Sequence, residues 1–87
     1  MTHLYLSKDE ETIVSIQHLT TKVTRLKAIL AITPFKNVNY FLYGSSGAFI
    51  GLDQSMFPMD LSNELKLLLQ ESIDIYENEI QQLHNSL

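Results

Sequence analysis

Apolar residues recur at helical spacing over 7–33 and again over 60–86. Between these stretches the pattern becomes a short aromatic and β-branched run, broken at Gly44, Ser45, Ser46 and Gly47. The layout predicts an α+β fold in which two antiparallel amphipathic helices are joined by a β-hairpin over 37–52 and a connector over 53–59, all in a single domain. Neither a lone hairpin nor a lone helix pair closes a core well, so apolar surface is expected to point outward toward other copies of the chain.

The first helix has a defined start. Ser7, Lys8, Asp9 and Glu10 have the form of a capping box, with the Ser7 hydroxyl accepting from a first-turn amide and Glu10 reaching back. Asp9, Glu10 and Glu11 also suit the positive end of the helix dipole. Ile16, Leu19, Val23, Leu26 and Leu30 then alternate spacings of three and four, a seam like that of a coiled coil held for about two heptads. Ile13, Val14, Ala28, Ile29 and Ala31 broaden it, and Thr33-Pro34 is the expected stop, because a proline disfavours helical geometry in the residue before it.

The second helix carries two stripes. Leu69, Ile73, Tyr76, Ile80, Leu83 and Leu87 continue the same period, while Leu61, Leu65, Leu68 and Ile75 lie on a neighbouring face. Such a helix must cover two things, helix 1 on one side and the hairpin or another subunit on the other.

In the hairpin, Val38, Tyr40 and Leu42 alternate with Asn39, Phe41 and Tyr43, and Phe49, Ile50 and Leu52 follow on the return strand. Both faces are largely apolar, so one is expected over the helices and the other, or the strand edge, against a second chain. The bracketing glycines predict a type I turn whose last residue, Gly47, takes the left-handed conformation. Leu4, Tyr5 and Leu6 offer a short third strand.

Charge narrows the choice of partners. Ten Asp and Glu against six Lys and Arg give −4, which repels a phosphate backbone and disfavours nucleic acid. Antiparallel pairing is expected to bring Lys22 and Arg25 toward Glu71 and Asp74, and Asp9 to Glu11 toward Glu77 and Glu79. Eighty-seven residues without a cysteine exclude disulfides, thiolate metal sites and cysteine nucleophiles. The N-terminal residues lack the charged and apolar regions of a secretory signal, and no apolar run approaches a membrane span, so no membrane partner is expected and the cytoplasm is the default location.

Candidate chemistry is sparse. The Gly44 to Gly47 turn precedes a strand, not a helix, and lacks a following lysine, so a plain hairpin turn outweighs a phosphate loop. His3, His18 and His84 show no metal-ligand spacing, and no spacing of Ser, His and Asp suggests a triad. No cofactor, metal or catalytic residue is therefore expected. Binding has better candidates. Tyr40 and Tyr43, with Lys36 and Asn39 nearby, offer rings to stack on and a cation to neutralise an anion, against the alternative of cross-strand packing. In the connector, Met56 and Phe57 either plug the junction of helix and hairpin or present an adaptable contact to a protein.

The order of elements, with Val38 to Leu52 as hairpin and Leu69 to Leu87 as returning seam, resembles a β-type prefoldin subunit. That resemblance implies a chaperone or structural scaffold assembling through its hairpins. By size, acidity and lack of cysteine alone, the chain is also similar to small phage-encoded accessory proteins that inhibit a host factor or sequester a signalling nucleotide. The leading expectation is a non-catalytic homo-oligomer that binds a protein partner or a small ligand between protomers, and the prefoldin-like chaperone is the alternative.

Overall fold

In a computed structural model, which describes residues 7–87, the order is helix, hairpin, helix. Helix α1 spans Lys8–Leu30, strands β1 and β2 span Asn39–Tyr43 and Phe49–Asp53, a single 3₁₀ turn spans Gln54–Met56, and helix α2 spans Leu61–Asn85. The proposed strand at Leu4 to Leu6 lies outside the described residues.

The start of α1 is the capped one, since Ser7 Oγ accepts from the Glu10 amide at 3.1 Å. Its interior is rich in threonine, a mediocre helix former. Thr12, Thr20, Thr21 and Thr24 each donate a hydroxyl to the carbonyl four residues earlier, so none leaves a polar group unmatched. The helix ends at Leu30, three residues before the expected stop, and Thr33 Oγ1 turns back to the Leu30 carbonyl at 2.8 Å. Pro34 thus stands beyond a chain that has already left the helix.

The helices lie antiparallel and pack along the expected seams. Ile16, Leu19 and Val23 of α1 are buried against α2, where Leu69 and Ile73 reach 5% exposure. Leu26, Leu30, Tyr76, Ile80 and Leu83 continue the seam half-buried. The second stripe of α2 divides: Leu61 is buried and Leu65 half-buried, yet Leu68 and Ile75 stand open. Helix 1 is thus covered by one stripe, while the other is covered only at its hairpin end.

The strands pair antiparallel in the register Tyr40 to Leu52 and Leu42 to Ile50. At the turn, the Gly47 amide donates to the Gly44 carbonyl at 2.9 Å and the Gly44 amide to Ala48 at 2.7 Å, with Gly47 at φ +90°. This is the type I turn followed by a left-handed glycine that the sequence predicts. Register places Phe41 across from Gly51, where a Cβ would meet the ring only at ordinary contact distance, about 3.6 Å. Phe41 stacks on Phe49 with centroids 5.4 Å apart, and Tyr43 tilts against Phe49 at 4.9 Å.

The molecule is long. Its axes measure 55 × 32 × 17 Å and its radius of gyration is 18.3 Å, against about 12 Å for a compact chain of this length. Its accessible surface of 7010 Å² likewise exceeds the roughly 5,200 Å² typical of a folded monomer of this mass. Among the described residues no large side chain is completely enclosed. One layer of helices and one ribbon leave too little chain to cover either element from both sides.

Candidate functional site

Two surfaces compete for function, a polar cleft at the root of the hairpin and the apolar outer half of the hairpin itself. The cleft forms where the connector turns back into α2. Gln54 organises it: its Nε2 donates to the Met59 carbonyl at 2.6 Å, and its Oε1 accepts from the Leu61 amide at 2.7 Å. Asp60 caps α2 by accepting from the Ser62 amide at 3.0 Å, and Ser62 Oγ accepts from the Phe35 amide at 3.2 Å. Asp53 accepts from the Ser55 amide at 3.1 Å and from its hydroxyl. These bonds lock the strand exit, the 3₁₀ turn and the helix start into one corner, with Val38 and Leu61 buried at the junction.

The space left in that corner is about 360 Å³, lined by Lys36, Asn37 and Asn39 on one side and by Asp53, Ser55, Asp60 and Ser62 on the other. Lys36 therefore shares its cleft with two carboxylates. The balance of charge there is negative, which suits a polar or cationic group better than the anion that a lone lysine suggests.

Of the sequence candidates, Lys36 and Asn39 come together in this cleft. Tyr40 is half-buried on the other strand face, paired with Leu52 near the root. Tyr43 sits beside the turn at 80% exposure, on the face that carries Phe41 and Phe49. Met56 projects from the 3₁₀ turn largely exposed, whereas Phe57, just after it, is half-buried. The tyrosine rings and the lysine thus belong to different surfaces. Gln54, Asp53, Asp60 and Ser62 shape the cleft without having stood out in the sequence, and nothing in the local pattern marks Gln54 as the residue that bridges Met59 to Leu61.

The hairpin is the larger exposed apolar feature. Phe41, Leu42, Tyr43, Phe49 and Ile50 are between 53% and 80% exposed, and register puts Leu42 and Ile50 on one face and the three rings on the other. The expected packing of one face over the helices is not seen beyond the root: the helices pack on each other and the strands on each other, and on the face of Leu42 and Ile50 only Tyr40 and Leu52 are half-buried.

Along the helices, the expected ion pairs take other partners. Lys22 Nζ lies 5.4 Å over the Tyr76 ring, and the ion pair among the described residues joins Lys27 to Glu77 at 3.2 Å. Glu79 stands level with Ser15 and His18, at least a turn inward of Asp9 to Glu11. Among the described residues no cluster of His, Asp and Glu is arranged for a metal, and no helix is long and apolar enough to cross a membrane.

Comparison with protein-family models, curated proteins and solved structures returned no match. The element order remains compatible with that of a β-type prefoldin subunit.

Proposed function

We propose that the chain is a non-catalytic cytoplasmic binding module that works as a homo-oligomer, holding a protein partner or a small ligand between protomers and so regulating or blocking it. The observation that carries this reading is the outer half of the hairpin, where five large apolar side chains on two faces lie at least half exposed. A two-stranded ribbon with both faces wet is marginal in water, and exposed apolar surface of this kind marks a contact site. Stacking among Phe41, Phe49 and Tyr43 holds the rings in place before any partner arrives, which lowers the ordering cost of binding.

Sedimentation velocity over about a hundredfold range of protomer concentration tests the assembly. Association that weakens on replacing Phe41 and Phe49 with serine is the expected result, and a folded monomer at every concentration overturns the reading. Native mass spectrometry of protein purified from its host then tests the ligand. A defined bound species supports the binding module, whereas indiscriminate capture of unfolded chains favours a chaperone.

A further inference from the structure

On one long side of the helix pair, two stripes of residues, all exposed but the half-buried Ser72, run next to each other. From α1 come Ser15, His18, Lys22, Arg25 and Ile29, and from α2 Leu68, Ser72, Ile75 and Glu79, each set at spacings of three and four. They belong to one face. Lys22, Arg25 and Ile29 share a groove of about 350 Å³ with Ser72 and Tyr76, and Ser15 and His18 share the next groove with Glu79 and Leu83. Leu68 and Ile75, either side of Ser72, are each 57% exposed, and Ile29 is 43% exposed.

The charges on this face are segregated. The α1 stripe holds Lys22 and Arg25 without a carboxylate, and neither cation joins an ion pair among the described residues. The α2 stripe holds Glu79 and is edged by Glu64 and Glu71, both exposed. Resting on the self-association argued above, we propose that this face seats a second copy of the chain, stacked so that α1 of each protomer runs along α2 of the other and the two-fold axis lies parallel to the helices.

Charge decides the direction of that axis. A helix pair stacked face to face on its own copy can have the two-fold axis across the helices or along them. Across, α1 meets α1, and Lys22 and Arg25 face like charges with the acids of α2 facing each other. Along, each cationic stripe meets an acidic one, the arrangement that electrostatic complementarity selects. An axis parallel to the helices also keeps every residue at its own level. Because Leu26 and Ile29 are level with Ser72, and Leu19 with Glu79, the stacking brings Ile29 onto Leu68 of the second copy, Lys22 near Ile75, Arg25 near Glu71 and His18 near Glu79. Both hairpins then emerge at the same end, where their open faces lie side by side.

The area points the same way. The surface of 7010 Å² stands about 1,800 Å² above that of a typical monomer, more than the roughly 800 Å² that a standard interface removes from each partner and within the range of obligate dimers.

The chain has no cysteine, so single Ile29→Cys and Leu68→Cys proteins can be mixed and oxidised. The expected product is a disulfide-linked dimer of one with the other, absent when either is oxidised alone. Dimers of Leu68→Cys with itself, or no linked product, overturn the arrangement. Arg25→Glu is expected to weaken the dimer about tenfold or more in sedimentation, and adding Glu71→Arg to the same chain is expected to restore it. Both positions are exposed, so circular dichroism should show the fold intact. Failure of the charge swap to restore association refutes the seam. A wild-type chain that is monomeric refutes self-association itself, whereas an oligomer indifferent to all these changes leaves self-association standing and places it on the hairpins alone.

Discussion

Gln54→Ala should loosen the corner that joins the hairpin to α2, and its cost can be worked bond by bond. The Leu61 amide donates to Gln54 Oε1 at 2.7 Å at a residue that is itself buried. With the acceptor gone, that first-turn amide loses the one partner it has among the described residues. A part-buried donor left unmatched costs about 1–3 kcal/mol. The Met59 carbonyl, bonded at 2.6 Å, belongs to a half-exposed residue and can turn to water, so its loss costs roughly 0.5–1 kcal/mol. The weaker contact to the Phe57 carbonyl at 3.4 Å adds little. The sum is about 1.5–4 kcal/mol of lost stability. Urea unfolding followed by circular dichroism, at one fixed protomer concentration, measures it. Gln54→Glu provides the control. It keeps an acceptor for Leu61 but turns a carboxylate oxygen toward the Met59 carbonyl, a repulsion that vanishes when the carboxyl is protonated. Folding then favours the protonated form, so the deficit relative to wild type should shrink on acidification and grow as pH rises. A loss below about 0.5 kcal/mol for Gln54→Ala would refute the view that this side chain holds the corner.

The hairpin turn, the cap and the core give further checks. Gly47→Ala places a Cβ at φ +90°, where space is open but the backbone is unfavourable, and should cost about 1–2 kcal/mol in urea unfolding; a neutral result would mean that the turn relaxes to another form. Ser7→Ala removes the acceptor for the Glu10 amide and should cost about 1 kcal/mol, measured the same way, with loss of first-turn helicity. Ile73→Ala, at 5% exposure in the helix seam, should cost about 2–4 kcal/mol in thermal or urea unfolding, whereas Ile75→Ala two residues on should cost under 1 kcal/mol in dilute protein. A double-mutant cycle on Lys27 and Glu77, whose side chains are 55% and 48% exposed, should return a coupling of only about 0.2–1 kcal/mol that fades with salt.

The fold was legible wherever a local signal and a burial signal agreed. At Ser7 the cap residue and the acids after it coincide with the first turn of a stripe, and the helix begins there. At Gly47 the bracketing glycines and the alternating strands coincide, and the turn follows. The end of α1 was less legible. Proline constrains the residue before it but does not say how far back the chain has already unwound; here the Ile32 and Thr33 amides bond carbonyls three residues back, and the Leu30 carbonyl, which Pro34 has no N–H to serve, also accepts from the Thr33 hydroxyl. Charge pairing was the least legible, because the reach and direction of a long side chain depend on its neighbours. Lys22 prefers the face of Tyr76 to the carboxylates of the same helix, and Lys27 takes the partner expected for residues nearer the N-terminus.

The candidate site shows the same limit from another side. Composition gathered Lys36, Asn39, Tyr40 and Tyr43 because they are close in sequence, but a strand sends successive side chains to opposite faces and advances about 3.3 Å per residue. Tyr40 and Tyr43 therefore part company, one covered at the root and the other open at the tip, and Lys36 remains with Asp53 and Asp60. What the sequence did carry was the mismatch between apolar stripes and available cover. Two stripes on α2 and two apolar faces on the ribbon need four covering surfaces, and one protomer supplies α1 and the helix ends. The unpaid remainder is visible as Leu68, Ile75 and the hairpin rings, all exposed along one elongated molecule. A partner that covers only the hairpin leaves Leu68 and Ile75 wet, and one that covers only the helix face leaves Tyr43 and Phe49 wet. A second copy aligned along the helices reaches both sets at once, because its own hairpin comes to the same end.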